Sequence, residues 1–195
     1  MYKTISNKII RQFNPCYDPS KFITDENEEL PIKDWVQKYR NVVPAKDIIW
    51  LLLRKEFLSE KDLRLFAVWC AREALKLISD PDERSVNACN VAERYANGEA
   101  TKEELLAARN AAACATDAAY TFVYHVYYAA YYTVYDDAID YTSANTDYVA
   151  ANAARAASHA SDAASDVASD VASDVVYAAN AARASQIDQL LTYLE

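Results

Sequence analysis

AANAARAASHASDAASDVASDVASDVVYAANAARA, residues Ala150–Ala184, is the stretch that decides the fold. Alanine is the strongest helix former, and here it outnumbers the serines and aspartates that compete with helix by bonding their own backbone. The string AANAARA opens the stretch and returns at Ala178–Ala184. Between the two copies runs a four-residue repeat, ASDA from Ala160 followed by three copies of ASDV ending at Val175. Ala160, Ala164, Ala168 and Ala172 form an i±4 ridge whose small side chains let a neighbouring helix approach closely. A period of four overshoots 3.6, so this stripe drifts by about 40° per repeat. A heptad two-stranded coiled coil is therefore not expected. Valine every fourth residue points to packing rather than to a solubilising tail. The segment predicts helix from about Ser143 to Leu194, with an interruption left open.

Working back along the chain, Thr101 and Glu104 make a capping box that opens a helix running to about Tyr135. The polar stretch Asp136–Ser143 breaks or bends it. Gly98 suits the C′ position of a helix over 82–97. Before that, Ser59 is an N-cap with Glu60 and Asp62 in the first turn, and Asp80-Pro81 stops the helix it opens. Leu63, Phe66, Cys70, Ala74 and Leu77 line one face of this helix. Leu65, Val68, Trp69 and Leu75 widen that face to most of the circumference, the profile of a central core helix. Short helices are expected after Pro31 and Pro44, whereas residues 1–30 read as turns around Asn14-Pro15 and Asp18-Pro19. All five prolines lie at or before Pro81, and the single glycine leaves little room for hairpin turns. The expected architecture is all-α, a compact helical bundle with long alanine-rich C-terminal helices. It forms one domain over 1–195, made of an irregular N-terminal segment (1–43), short core helices (44–100) and long Ala/Tyr-rich helices (101–195).

The net charge of −9 is uneven. Residues 105–195 hold three Arg, no Lys and 11 Asp/Glu, a net of −8, while residues 1–104 are nearly balanced. Such a surface repels nucleic acid and anionic membrane and attracts basic partners, so no direct DNA or RNA binding and no membrane association are expected. Cys16, Cys70, Cys89 and Cys114 show no C-x-x-C spacing, and MYKTISNKIIRQF lacks an apolar signal region. A reduced, cytoplasmic protein is the expectation. Ala118–Tyr135 is uncharged for 18 residues but carries seven tyrosines and no flanking Lys/Arg, so a buried helix is expected there rather than a membrane span.

Four constellations are candidates for function. Asp162, Asp166, Asp170 and Asp174 stack at i, i+4, where like charges repel. They are either a solvated face or a negative stripe for a partner. Tyr124, Tyr128, Tyr131 and Tyr135 belong to a dense tyrosine cluster that either fills gaps between alanine-rich helices or stacks on a flat ligand. Arg109, Arg155 and Arg183 are the only basic residues after Lys102. Asn152/Arg155 recurs as Asn180/Arg183 at i, i+3, suited to ion pairing or to clamping an anion. Asp136, Asp137 and Asp140 spell D-D-x-x-D, but a magnesium site of that type needs a second facing cluster, which the sequence lacks. His125 and His159 are solitary. No acid/base pair, metal or cofactor is expected, and no enzyme.

Two segments, DLRLFAVWCAREAL (Asp62–Leu75) and DERSVNACNVAERYANGEATKEELLAARNAA (Asp82–Ala112), resemble a family of alanine-rich bacterial and phage immunity-type proteins (immunity-protein-5-like). The resemblance implies a helical, non-enzymatic protein of a phage or bacterial conflict system and carries over no catalytic residue. With the charge pattern it leads to an immunity or anti-defence inhibitor that engages a basic protein partner through its acidic helical surface. A sponge that sequesters a nucleotide signal in a Tyr/Arg-lined pocket is the alternative. A purely structural helical protein, self-associating through its Ala-rich helices, is a third.

Overall fold

A computed structural model of the chain describes residues 1–117, 128–133, 146–167 and 172–194. Two short strands, β1 (Thr4–Ser6) and β2 (Glu29–Pro31), accompany the helices α1 (Asn7–Arg11), α2 (Ile32–Tyr39), α3 (Ala45–Leu52), α4 (Glu60–Leu75), α5 (Glu83–Ala96) and α6 (Lys102–Asp117). A helical stretch over 128–133, here α7, is followed by α8 (Thr146–Val167) and α9 (Ala172–Tyr193).

α4 is the central element. Ser59 Oγ accepts the Asp62 N–H at 3.1 Å and so satisfies one of the orphan donors of its first turn. Leu63, Phe66, Cys70 and Ala74 form its buried face as the periodicity predicts. Val68 and Leu75 are buried too, while Leu65 and Trp69 are half-buried. α4 packs on α8 and on α5, α6 on α5, α9 on α8, and α3 on α9, with one hydrophobic cluster running through them.

The boundaries follow the capping chemistry. Gly98, at φ +77°, closes α5 in a Schellman motif: Glu99 N–H reaches the Arg94 carbonyl at 2.8 Å and Gly98 N–H the Tyr95 carbonyl at 3.0 Å. Thr101 and Glu104 then form the reciprocal capping box. Thr101 Oγ1 accepts the Glu104 N–H at 3.2 Å, and Glu104 Oε2 accepts the Thr101 N–H at 2.7 Å. Pro31 and Pro44 each sit immediately before the first helical residue, of α2 and α3 respectively.

α8 and α9 lie side by side. Residues 161 and 186 of one straight helix would stand about 37 Å apart at 1.5 Å per residue, yet Gln186 Nε2 lies 3.2 Å from Ser161 Oγ. The C-terminal helical region is therefore two helices. α8 buries Ala153, Ala156, Ala157, Ala160 and Ala163, an i, i+3, i+4, i+7 pattern. Of the expected i±4 ridge, Ala160 is buried and Ala164 half-buried, whereas Ala168 lies outside the described residues.

The N-terminal segment departs from expectation. Residues 1–43, read as an irregular segment with a short helix after Pro31, carry that helix as α2 but also β1, α1, a 3₁₀ turn at Pro19–Lys21 and β2. β1 and β2 pair antiparallel with Ile5 opposite Leu30, and Ile5, Ile9, Ile10, Ile23, Trp35 and Val36 join the core. The strands are only three residues each and are separated by a long excursion, so no tight turn announces them. α1 has five residues, too few to show a helical period.

Among the described residues no helix is long and apolar enough to cross a membrane. Of Ala118–Tyr135, only 128–133 is described. Asp136, Asp137, Asp140 and His125 lie outside the described residues.

Candidate functional site

The site is built from α3 outward. In the sequence of α3, AKDIIWLL, Ile48, Ile49, Leu51 and Leu52 turn inward. Lys46 and Trp50, four residues apart, form the outer ridge, with Trp50 37% exposed. The helix ends at Leu53, whose φ −77° and ψ 66° are those of an inverse γ-turn, and the Arg54 N–H closes it on the Leu52 carbonyl at 2.8 Å. This turn sets Arg54 and Lys55 beside the ridge. The Arg54 guanidinium is held between two aromatic faces, 4.2 Å from the Trp50 ring centroid and 4.5 Å from that of Phe13. Stacking of this kind fixes the guanidinium plane before any ligand arrives.

Across from the turn stands the α8–α9 pair. The two faces enclose a cleft of ≈ 530 Å³. Lys46, Arg54, Lys55 and Arg183 bring four positive charges to it and Glu56 one negative, while Ser158, Ser161 and Gln186 supply hydroxyl and amide groups. Gln186 is anchored by donating from Nε2 to the Ala157 carbonyl at 2.8 Å. Four cations gathered in a partly enclosed space repel one another, and a multivalent anion relieves that repulsion. The arrangement is therefore chemically suited to phosphate-bearing ligands, for which Arg offers a planar fork and Lys a point charge.

The structure divides the residues singled out from the sequence. Arg183 lines this cleft. Arg155 lies elsewhere on α8: its Nη1 donates to Asn152 Oδ1 at 3.2 Å and its guanidinium sits 5.5 Å from the Tyr132 ring. Tyr132 stacks on His159 at 5.5 Å and 12°, and Tyr128 and Tyr131 pack against the same group. That cluster joins α7 to α8, with Tyr128, Tyr131 and Tyr132 half-buried. Arg109 is half-buried on α6 and does not line the cleft. Tyr124, Tyr135 and Asp170 lie outside the described residues. Of the acidic ladder only Asp162 has a described side chain, half-buried on α8; the side chains of Asp166 and Asp174 are not among those described.

Sequence reasoning missed Lys46, Trp50, Arg54 and Lys55. A signal was present in KDIIWLLLRK, where cations flank an outward tryptophan. Their meeting with Arg183, more than a hundred residues later, depends on α3 packing against α9. Among the described residues, no three His, Cys, Asp or Glu side chains converge as metal donors. No protein family, curated protein or solved structure matches this chain.

Proposed function

We propose that the chain is a non-enzymatic binding protein that holds a small phosphate-bearing ligand in the cleft between the α3–α4 turn and the α8–α9 pair. The observation that carries this reading is the convergence of Lys46, Arg54, Lys55 and Arg183 with a single acid, Glu56, in a chain whose net charge is −9. Against that background, a pocket of opposite sign selects anions from solution and shields them from the acidic remainder of the surface.

Isothermal titration with inorganic pyrophosphate tests it. Binding is expected at low salt and weakens steeply as salt rises. Arg183→Ala and Lys46→Ala are each expected to weaken it by about tenfold, the loss of one charge-assisted contact. Absence of heat and of any thermal stabilisation by pyrophosphate at low ionic strength would refute the reading.

A second reading rests on the −8 net charge of residues 105–195 and on the segments that resemble immunity-type proteins. Here the chain inhibits a basic protein partner through its acidic half. The two readings use different surfaces, and the acidic ladder separates them, as argued below.

A further inference from the structure

The outer ridge of α3 has a second cavity on its other side. Its volume is ≈ 290 Å³, and Lys46 and Trp50 line both this cavity and the cationic cleft. The lining is largely aromatic and aliphatic, including Tyr17, Phe22, Trp35 and Val43. Tyr17 and Phe22 meet edge to face at 5.5 Å, and Lys21 lies 5.0 Å from the Tyr17 ring. Small-molecule sites span roughly 300–1,000 Å³, so this cavity suits one ring system rather than a whole drug-sized molecule.

A carboxylate breaks the apolar lining. Asp47, on α3, accepts the Tyr17 hydroxyl hydrogen bond. A carboxylate has about four acceptor sites, so it keeps capacity for a further donor. Trp35 is 2% exposed, and its indole Nε1 has no hydrogen-bond partner among the described residues. That nitrogen has almost no accessible surface, so the cavity meets Trp35 as an apolar ring face. The wall thus offers flat apolar faces and an acceptor. Heteroaromatic rings with an N–H edge complement that set.

We infer that the two cavities form one bipartite site, in which the phosphates of a nucleoside diphosphate occupy the cationic cleft and its base crosses the Lys46–Trp50 ridge into the aromatic cavity. The inference rests on the proposed anion-binding reading and adds the ligand class. Lys46 serves both halves. Trp50, whose ring already carries the Arg54 guanidinium, forms the saddle between them.

The test compares inorganic pyrophosphate with ADP, GDP, CDP and UDP by isothermal titration on the full chain. At least one nucleotide is expected to bind about tenfold or more tighter than pyrophosphate. Val43→Phe, which fills the aromatic cavity, is expected to bring that nucleotide to within about twofold of pyrophosphate while leaving pyrophosphate itself unchanged. Trp35→Phe keeps a ring in place but shrinks the flat face on which the base packs, and is expected to cost the nucleotide several-fold; it guards against a Val43→Phe chain that fails to fold. Nucleotides that bind no tighter than pyrophosphate would overturn the bipartite site and leave the anion cleft standing. So would a nucleotide preference that neither variant alters. If neither pyrophosphate nor any nucleotide binds, the cleft reading falls as well.

Discussion

Gln186 donates from Nε2 to the backbone carbonyl of Ala157 at 2.8 Å and to Ser161 Oγ at 3.2 Å, and Ser161 in turn donates to the same carbonyl at 3.0 Å. All three residues are buried, so this small polar network pins α9 to the alanine-rich buried face of α8. It also fixes the floor of the cationic cleft.

The first prediction follows from that network. Gln186→Ala is expected to lower unfolding free energy by about 1–3 kcal/mol, because a buried amide contact is lost and a void is left. Ser161→Ala is expected to cost less, about 0.5–1.5 kcal/mol, since the Ala157 carbonyl keeps the Gln186 bond. Urea denaturation of both variants and of their double mutant checks this. The losses should not add, because the residues share one network. Additive effects would show that Gln186 and Ser161 act separately.

A second prediction concerns acid. Arg11 donates to Asp18 at 2.8 Å through Nη2 and to Glu26 at 2.7 Å through Nη1, tying α1 to the excursion between the strands. Hydrogen bonds from Arg11 hold both carboxyls below their ordinary range, and Lys38 does the same for Glu28. For a carboxyl depressed in the folded state, the unfolded chain binds protons first as pH falls. The associated stability is therefore complete above the unfolded value near 4 and is lost below it. Melting temperature should be flat from pH 7 to about 5 and then decline. Arg11→Ala should flatten that decline while lowering stability at neutral pH only modestly, because the three side chains are exposed to solvent. An Arg11→Ala variant with an unchanged acid profile would contradict this account.

Local rules written in single residues were legible from the sequence. Ser59, the Thr101/Glu104 box and Gly98 each predicted a helix end, and each appears with the expected hydrogen bonds or φ. The face of α4 was legible because its 16 residues give more than four turns of periodicity. What stayed hidden was non-local. The β1–β2 pair links residues 4–6 to 29–31 with no turn signature between them. The cleft likewise joins Arg183 to Arg54 through packing that no spacing rule encodes. The Arg155/Arg183 repeat suggested ion pairing or clamping of an anion, and the structure separates its two arginines: Arg183 lines the cleft while Arg155 lies against Tyr132.

The acidic ladder discriminates between the two functional readings. Asp162, Asp166, Asp170 and Asp174 changed together to Asn remove like-charge repulsion, which acts at i, i+4 spacing between Asp162 and Asp166 on α8, so thermal stability is expected to hold or rise slightly. On the leading reading, pyrophosphate affinity changes by no more than a few-fold, and in the direction of tighter binding as the negative field weakens. On the second reading, association with a basic partner slows and its salt dependence flattens. Titration of one variant against pyrophosphate, and capture kinetics against a candidate basic protein, would read both outcomes.

The last prediction concerns Arg64, which sits on the central helix with only 3% of its surface exposed. Its Nη2 is 3.6 Å from Glu60, its guanidinium lies 5.0 Å from the Tyr95 ring, and its Nη1 points to the Thr133 carbonyl at 3.4 Å. One buried cation thus touches α4, α5 and α7, and its aliphatic stem fills volume between them. Arg64→Ala removes both the volume and the donors, and is expected to cost about 2–4 kcal/mol. Arg64→Met keeps most of the volume and removes the buried charge, whose desolvation opposes its gains, so its cost should be less than about half of that. Glu60 is half-exposed and stays hydrated in either variant, so no stranded buried charge inflates the comparison. Urea unfolding of the pair measures the difference. Equal losses would assign the role to the guanidinium contacts alone, and negligible loss from Arg64→Ala would mean that α7 is held by its tyrosine packing against α8 rather than by this residue.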